Sequence, residues 1–224
     1  MPPSALQNPG VVITAHRQLA GYSGVWFFVR GHSAVVSAPP DWVARLERSC
    51  GSTVAEELRS TAAATRALGH AAGEVVGPSF QGWLAVARFR AVPSDGVHRI
   101  ADREAILASF RSACSSTEWE HGGIDSRSAE VWASFREEKA VALGQLRPHP
   151  DGAVDPGVVT HPAHRSQGHA LRLVSAMAQE ALAAGQLLLY QTLLSNRPAV
   201  ALAQRLGFEQ YATLLAVRLV PDAV

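Results

Sequence analysis

Pro162-Ala163-His164-Arg165-Ser166-Gln167-Gly168-His169-Ala170 is the stretch that decides how this chain folds. It separates a short apolar strand at Val158-Val159 from a segment in which Leu171, Val174, Met177, Ala178 and Leu182 recur at helical spacing. A strand that turns into a helix through Arg-x-x-Gly-x-Ala leaves backbone N–H groups unpaired at the helix N-terminus. The aligned peptide dipoles favour negative charge there as well. The turn is therefore a cradle for a phosphate-bearing ligand.

Working outward, the helix ends at Gly185 and a strand follows over 187–192. A loop holding Asn196 leads to a short helix with Pro198 at its start and Gly207 at its end, and 211–219 closes the chain as a strand. A right-handed strand–helix–strand crossover makes 158–159 and 187–192 parallel neighbours. Upstream, 131–135 and 140–146 read as an antiparallel pair, 101–114 as a helix and 97–100 as a strand. Val92-Pro93-Ser94-Asp95-Gly96 carries the punctuation of a boundary. Before it, 25–29 and 34–38 read as strands, 41–50 and 54–68 as helices, 69–82 as a loop and 83–89 as a strand. The expectation is a mixed α/β sheet, with a smaller α/β unit at 1–92 and the cradle-bearing domain at 93–224.

Composition narrows the function. Twenty basic residues against 19 acidic give a net charge of +1, so neither nucleic acid nor an anionic membrane is the expected partner. Lys139 is the only lysine, and no Gly-Lys-Ser/Thr sequence completes a Walker phosphate loop. Cys50 and Cys114 stand far apart and fit reduced thiols. No leader pattern and no apolar run of membrane length is present, which makes the cytoplasm the expected location. His161, His164 and His169 lie at spacings of three and five with no glutamate among them, a poor pattern for a metal.

The stretch 159–170 resembles the acetyl-CoA-binding motif of the GNAT superfamily of N-acetyltransferases, whose core is Arg/Gln-x-x-Gly-x-Gly/Ala. A second block agrees: Asn196-Arg197-Pro198-Ala199 with Arg205-Leu206-Gly207-Phe208 is similar to that superfamily's Asn-x-x-Ala…Leu-Gly-Phe signature. The resemblance covers about 154–219, extends back to Val97, and leaves 1–92 as an extra N-terminal unit. It implies that the pyrophosphate of acetyl-CoA lies on the backbone of Arg165, Ser166, Gln167, Gly168, His169 and Ala170. The pantetheine arm would pair with Val158, Val159 and Thr160 where two parallel strands splay. Arg165 contacts phosphate or braces the loop; Asn196 orients the pantetheine or shapes a turn.

The implied reaction is acetyl transfer to a primary amine, that of a small molecule, by direct attack. The usual acid is a tyrosine seven residues after the asparagine, and Ala203 stands there. Tyr190 and Tyr211 are the replacements to weigh. Asp155 is the carboxylate nearest the usual base position, although Pro156 and Gly157 point to a loop. Glu118, Glu120 and His121 form a second group on the acceptor side, with Trp119 as a pocket wall or core residue. Ala203 also leaves open a domain that binds acyl-CoA without transfer. Residues 1–92 are a degenerate copy or a partner-binding unit, and homodimers are common among such relatives.

Overall fold

The computed structural model describes residues 6–16, 22–100, 103–125 and 130–220. In chain order the elements are β1 (Gly10–Ala15), β2 (Gly24–Arg30), β3 (Ser33–Ala38), α1 (Val43–Cys50), α2 (Thr61–Leu68) and β4 (Ala72–Leu84). There follow β5 (Val97–Ile100), α3 (Glu104–Ala113), α4 (Ser116–Gly122), β6 (Val131–Arg136), β7 (Lys139–Pro148) and β8 (Val154–Thr160). The last are α5 (His169–Ala183), β9 (Leu188–Leu193), α6 (Arg197–Leu206) and β10 (Glu209–Leu219). The chain gathers into two compact units, one of residues 1–82, 191–200 and 210–224, the other of 83–190 and 201–209.

In the first unit the strands run β1-β3-β2-β10-β4. Val25, Phe27 and Val29 alternate inward along β2 and face Val36 and Ala34 of β3, so a period of two builds one apolar face. Leu46 and Cys50 of α1 and Ala64 and Leu68 of α2 cover that face, together with Leu215 and Val217 of β10. The helix expected over 54–68 is broken at Ser60, whose hydroxyl accepts from the Ala63 N–H and caps α2. The loop expected over 69–82 is the 13-residue strand β4. Its glycines serve close approach, since a Cβ on Gly73 would stand 2.9 Å from the Arg218 carbonyl oxygen. The strand expected over 83–89 stops at Leu84, and a 3-10 turn follows over Val86–Arg88.

In the second unit, which holds residues 188–190 of β9, the order is β9-β8-β7-β6-β5. Leu143 faces Leu107 and Phe110 of α3, with Val159 of β8 beside them. The next residue, Gly144, faces the other way, where a Cβ would crowd Leu173 and Met177 of α5. Adjacent strand residues point to opposite faces, so α3 and α5 lie on opposite sides of β7. The start of the helix expected from 101 falls at 101–102, outside the described residues; α3 runs from Glu104. The helix α4 was not anticipated; a reciprocal capping box between Ser115 and Glu118 starts it.

Candidate active site

β8 runs into the cradle through His161, whose ring nitrogen caps a 3-10 turn at Pro162–His164. Ser166 (φ +61°) and Gly168 (φ +81°) then take left-handed conformations, and Gly168 is the N-cap of α5. Among the described residues, no hydrogen bond is made by the backbone N–H groups of Ser166 to Leu171; the first bond of α5 runs from Arg172 to Gly168. Six unpaired donors thus follow one another at the helix N-terminus, where Ser166, Gln167 and Gly168 are exposed, and beyond its own helix backbone and chain neighbours a Cβ placed on Gly168 would meet only Arg172 Nη1, at 3.5 Å. A pyrophosphate fits this surface in charge and in hydrogen-bonding capacity.

The side chains around the turn hold it in shape. Gln167 Oε1 accepts from Arg136 Nη1 at 3.0 Å, and Arg172 Nη2 donates to the Gln167 carbonyl at 3.3 Å. His169 is buried, with Nδ1 3.1 Å from Ser134 Oγ and 3.2 Å from Arg172 Nη2. Burial, and then the charges of Arg172, His164 and Arg136, push its pKa down, so the ring packs as a neutral group. Arg136 and Arg172 supply positive charge here, and the motif alone did not single them out. Among the described residues, no group of three or more His, Cys, Asp or Glu is placed to hold a metal ion.

Arg165 braces the loop. Its Nη1 lies 2.7 Å from Glu118 Oε1 and its Nε donates to the Thr160 carbonyl. The hydrogen bond from Arg165, and then those from Ser115, hold the Glu118 carboxyl down to about 2, against an ordinary 4.5. A depressed carboxylate stabilises the fold above its unfolded pKa and loses that contribution as pH falls towards the folded value. Thermal melts at pH 5 and pH 2.5 should therefore show an acid-side loss that Glu118→Gln reduces; equal acid sensitivity in both proteins would contradict the pairing.

Beyond the cradle, β8 is paired on one side only. It follows β7 from Pro148↔Val154 to Ala142↔Thr160, whereas the parallel register with β9 is confined to Val154↔Leu188. Past that point the edge formed by Val158, Val159 and Thr160 is open to an extended ligand that pairs as a strand.

Asp155 stands where the split begins. It lies in β8 and not in a loop: Pro156 is tolerated where β8 has a neighbour on one side only, and Gly157 makes room for α4. A Cβ on Gly157 would come within 2.5 Å of the Gly122 carbonyl oxygen. The Asp155 carboxylate is 4% exposed; Oδ2 pairs with Arg147, and Oδ1 lies 2.8 Å from His149 Nε2. Tyr190 of β9 packs on Phe208 at 5.1 Å, and its pKa is pushed up by burial and by the Asp155 charge. Asp155 and Tyr190 are thus brought together.

The other predicted residues are placed differently. Glu120 is exposed on α4, and Tyr211 belongs to the first unit, against Leu6, Val35 and Ala212. Asn196 turns its Oδ1 to the Ala199 N–H and caps α6, which favours its structural reading. Ala203 is fully buried in α6. Trp119 packs against the α3 cluster under Arg111.

Residues 96–208 match the model of the acetyltransferase (GNAT) family. No curated protein matches the sequence. Among solved structures, a GNAT-family acetyltransferase from Colwellia psychrerythraea superposes with a TM-score of 0.56 at 14% identity, over 88% of this chain and 81% of its own. A GCN5-related N-acetyltransferase from Kribbella flavida gives 0.52 at 17% identity, over 72% and 65%. A GNAT-family protein from Novosphingobium aromaticivorans gives 0.52 at 20% identity, over 68% and 67%. At these identities the likeness is one of fold, and it agrees with the mixed α/β sheet. The family model spans half of the sequence and takes in both the cradle and the Leu206-Gly207-Phe208 block; this chain belongs to the GNAT acetyltransferase family and is an acetyl-CoA-dependent acetyltransferase.

Proposed function

We propose that the enzyme acetylates a primary amine of a small molecule by direct attack, in the cytoplasm. The observation that carries this reading is the open edge of β8, which runs from the cradle to the buried Asp155. Thr160 lies five residue steps along the strand from Asp155, roughly 16 Å at the usual rise. That reach suits an extended pantetheine arm, with its pyrophosphate on the Ser166–Ala170 backbone and Arg136 and Arg172 beside it. Acetyl-CoA supplies an activated thioester: nitrogen bonds to the carbonyl carbon, the C–S bond breaks, and sulfur leaves with the electron pair.

The chain's own groups manage the protons. Tyr190, of the three tyrosines the one beside Asp155, keeps its proton through burial and donates it to the leaving sulfur. A site whose carboxylate is this deeply buried admits a slim amine more readily than the surface of a folded protein. Thiol release measured across polyamines, amino acids, aminoglycosides and peptides tests the proposal. Turnover is expected with a small amine, and Tyr190→Phe should lower it by about 100-fold, the usual scale of a positioned acid. Ala203 is buried at the position of the usual tyrosine and supplies no proton there. Silence across the whole panel, with acetyl-CoA binding intact, would overturn the small-amine reading.

A further inference from the structure

We infer that His149, at the hairpin between β7 and β8, takes the proton from the attacking amine, and that Asp155 acts through it as a positioning residue. The inference rests on the transfer reading above. Both oxygens of the Asp155 carboxylate already accept strong hydrogen bonds, one from Arg147 and one from His149 Nε2 at 2.8 Å. A buried carboxylate engaged on both sides holds an imidazole in place better than it takes a proton itself. The Asp155 side chain is 5% exposed and that of His149 is 30% exposed, so the ring bridges the buried charge and the solvent-facing side of the hairpin.

The tautomer follows from the contact. Nε2–H donates to Asp155 Oδ1, which leaves the Nδ1 lone pair as the acceptor. The hairpin fixes the ring's base, since the His149 N–H bonds the Ala153 carbonyl and its own carbonyl accepts from Gly152. Among the described residues the ring contacts Asp155 of β8, which in turn pairs with Arg147 of β7 and acts on Tyr190 of β9; Asp151, in the same hairpin, accepts from the Ala153 N–H through Oδ1. On α4, Glu120 and His121 are exposed.

The steps balance as follows. The ammonium gives one proton to Nδ1, and the lone pair so freed bonds to the carbonyl carbon while the Asp155 carboxylate stabilises the imidazolium. The C–S electron pair leaves with sulfur, which takes the Tyr190 proton. The acetylated nitrogen releases its second proton to solvent, His149 returns its proton to solvent, and Tyr190 recovers one from solvent. Sequence reasoning passed over His149 because it lies in a turn-rich stretch; the signal was a His six residues before an Asp, bracketing a hairpin.

The test uses the full chain and the amine that the wild-type enzyme acetylates fastest. His149→Gln and His149→Ala should lower kcat about 100-fold with little change in the KM for acetyl-CoA. The acid limb of the wild-type pH–rate profile should vanish in both, and added imidazole should restore turnover to His149→Ala. Asp155→Asn should lower kcat at least tenfold and should not respond to imidazole. A wild-type rate and pH profile kept by His149→Gln would overturn this inference alone. Absence of transfer by the wild-type chain to every amine would overturn the transfer reading, and this inference with it.

Discussion

Gly168→Glu is expected to weaken acetyl-CoA binding by about 100-fold or more while leaving the fold intact. Gly168 is at φ +81°, where a side chain is strained, and the space above it is open to the ligand. A glutamate there adds a β-carbon and a negative charge among the six unpaired N–H donors. Repulsion of the pyrophosphate, with loss of close backbone approach, should weaken affinity by about 100-fold or more, near 3 kcal/mol. At a ligand concentration 100 times Kd, the wild type gains about 2.7 kcal/mol. For a chain of this size that is a rise in Tm of about 5–10 °C. The variant should show almost none of this rise, and a full shift in Gly168→Glu would place the pyrophosphate elsewhere.

Gly207→Ala is expected to cost folding stability without touching the chemistry. Gly207 ends α6 at φ +97°, and a β-carbon there would overlap the carbonyl oxygen of Arg88. The neighbouring bond from Arg90 N–H to the Leu206 carbonyl, at 3.0 Å, shows how tightly the two segments pass. Left-handed strain costs about 1–2 kcal/mol. Overpacking against backbone that cannot move aside adds a similar amount. Together they come to about 3 kcal/mol, a fall in Tm of about 6–12 °C. Thermal melts check the fall, and titration with acetyl-CoA well below the lowered Tm should still show binding. An unchanged Tm would mean that the two segments do not pass this closely. The Leu-Gly-Phe signature is thus a packing device, with Gly207 making the crossing and Phe208 seating Tyr190.

The cradle was legible in the sequence because it is local. A glycine with positive φ, a strand before it and an amphipathic helix after it are all encoded within 25 residues. The same holds for β2 and β3, two short apolar runs joined by the turn-like Arg30-Gly31-His32-Ser33. β4 was misread because Gly73, Gly77, Pro78 and Gly82 look like loop punctuation, and the reason for Gly73 and Gly77, close approach by β10 far along the sequence, is invisible locally. Asp155 reads as a loop residue in the sequence, since Pro156 and Gly157 signal a turn unless one knows that β8 has a single strand neighbour there and the end of α4 against Gly157. The Arg165–Glu118 brace joins positions 47 apart, and the Arg147–Asp155–His149 cluster needs the β7–β8 register; neither leaves a periodic trace. Asn196 shows the converse, a familiar motif residue whose contacts here are those of a helix cap.

A crystal structure of the full chain with acetyl-CoA tests the central claim most directly. It should place pyrophosphate oxygens within hydrogen-bond distance of the N–H groups between Ser166 and Ala170, pantetheine along the open edge of Val158 to Thr160, and the thioester beside Asp155 and His149. A thioester lying away from Asp155, or a pyrophosphate bound off the α5 N-terminus, would contradict it.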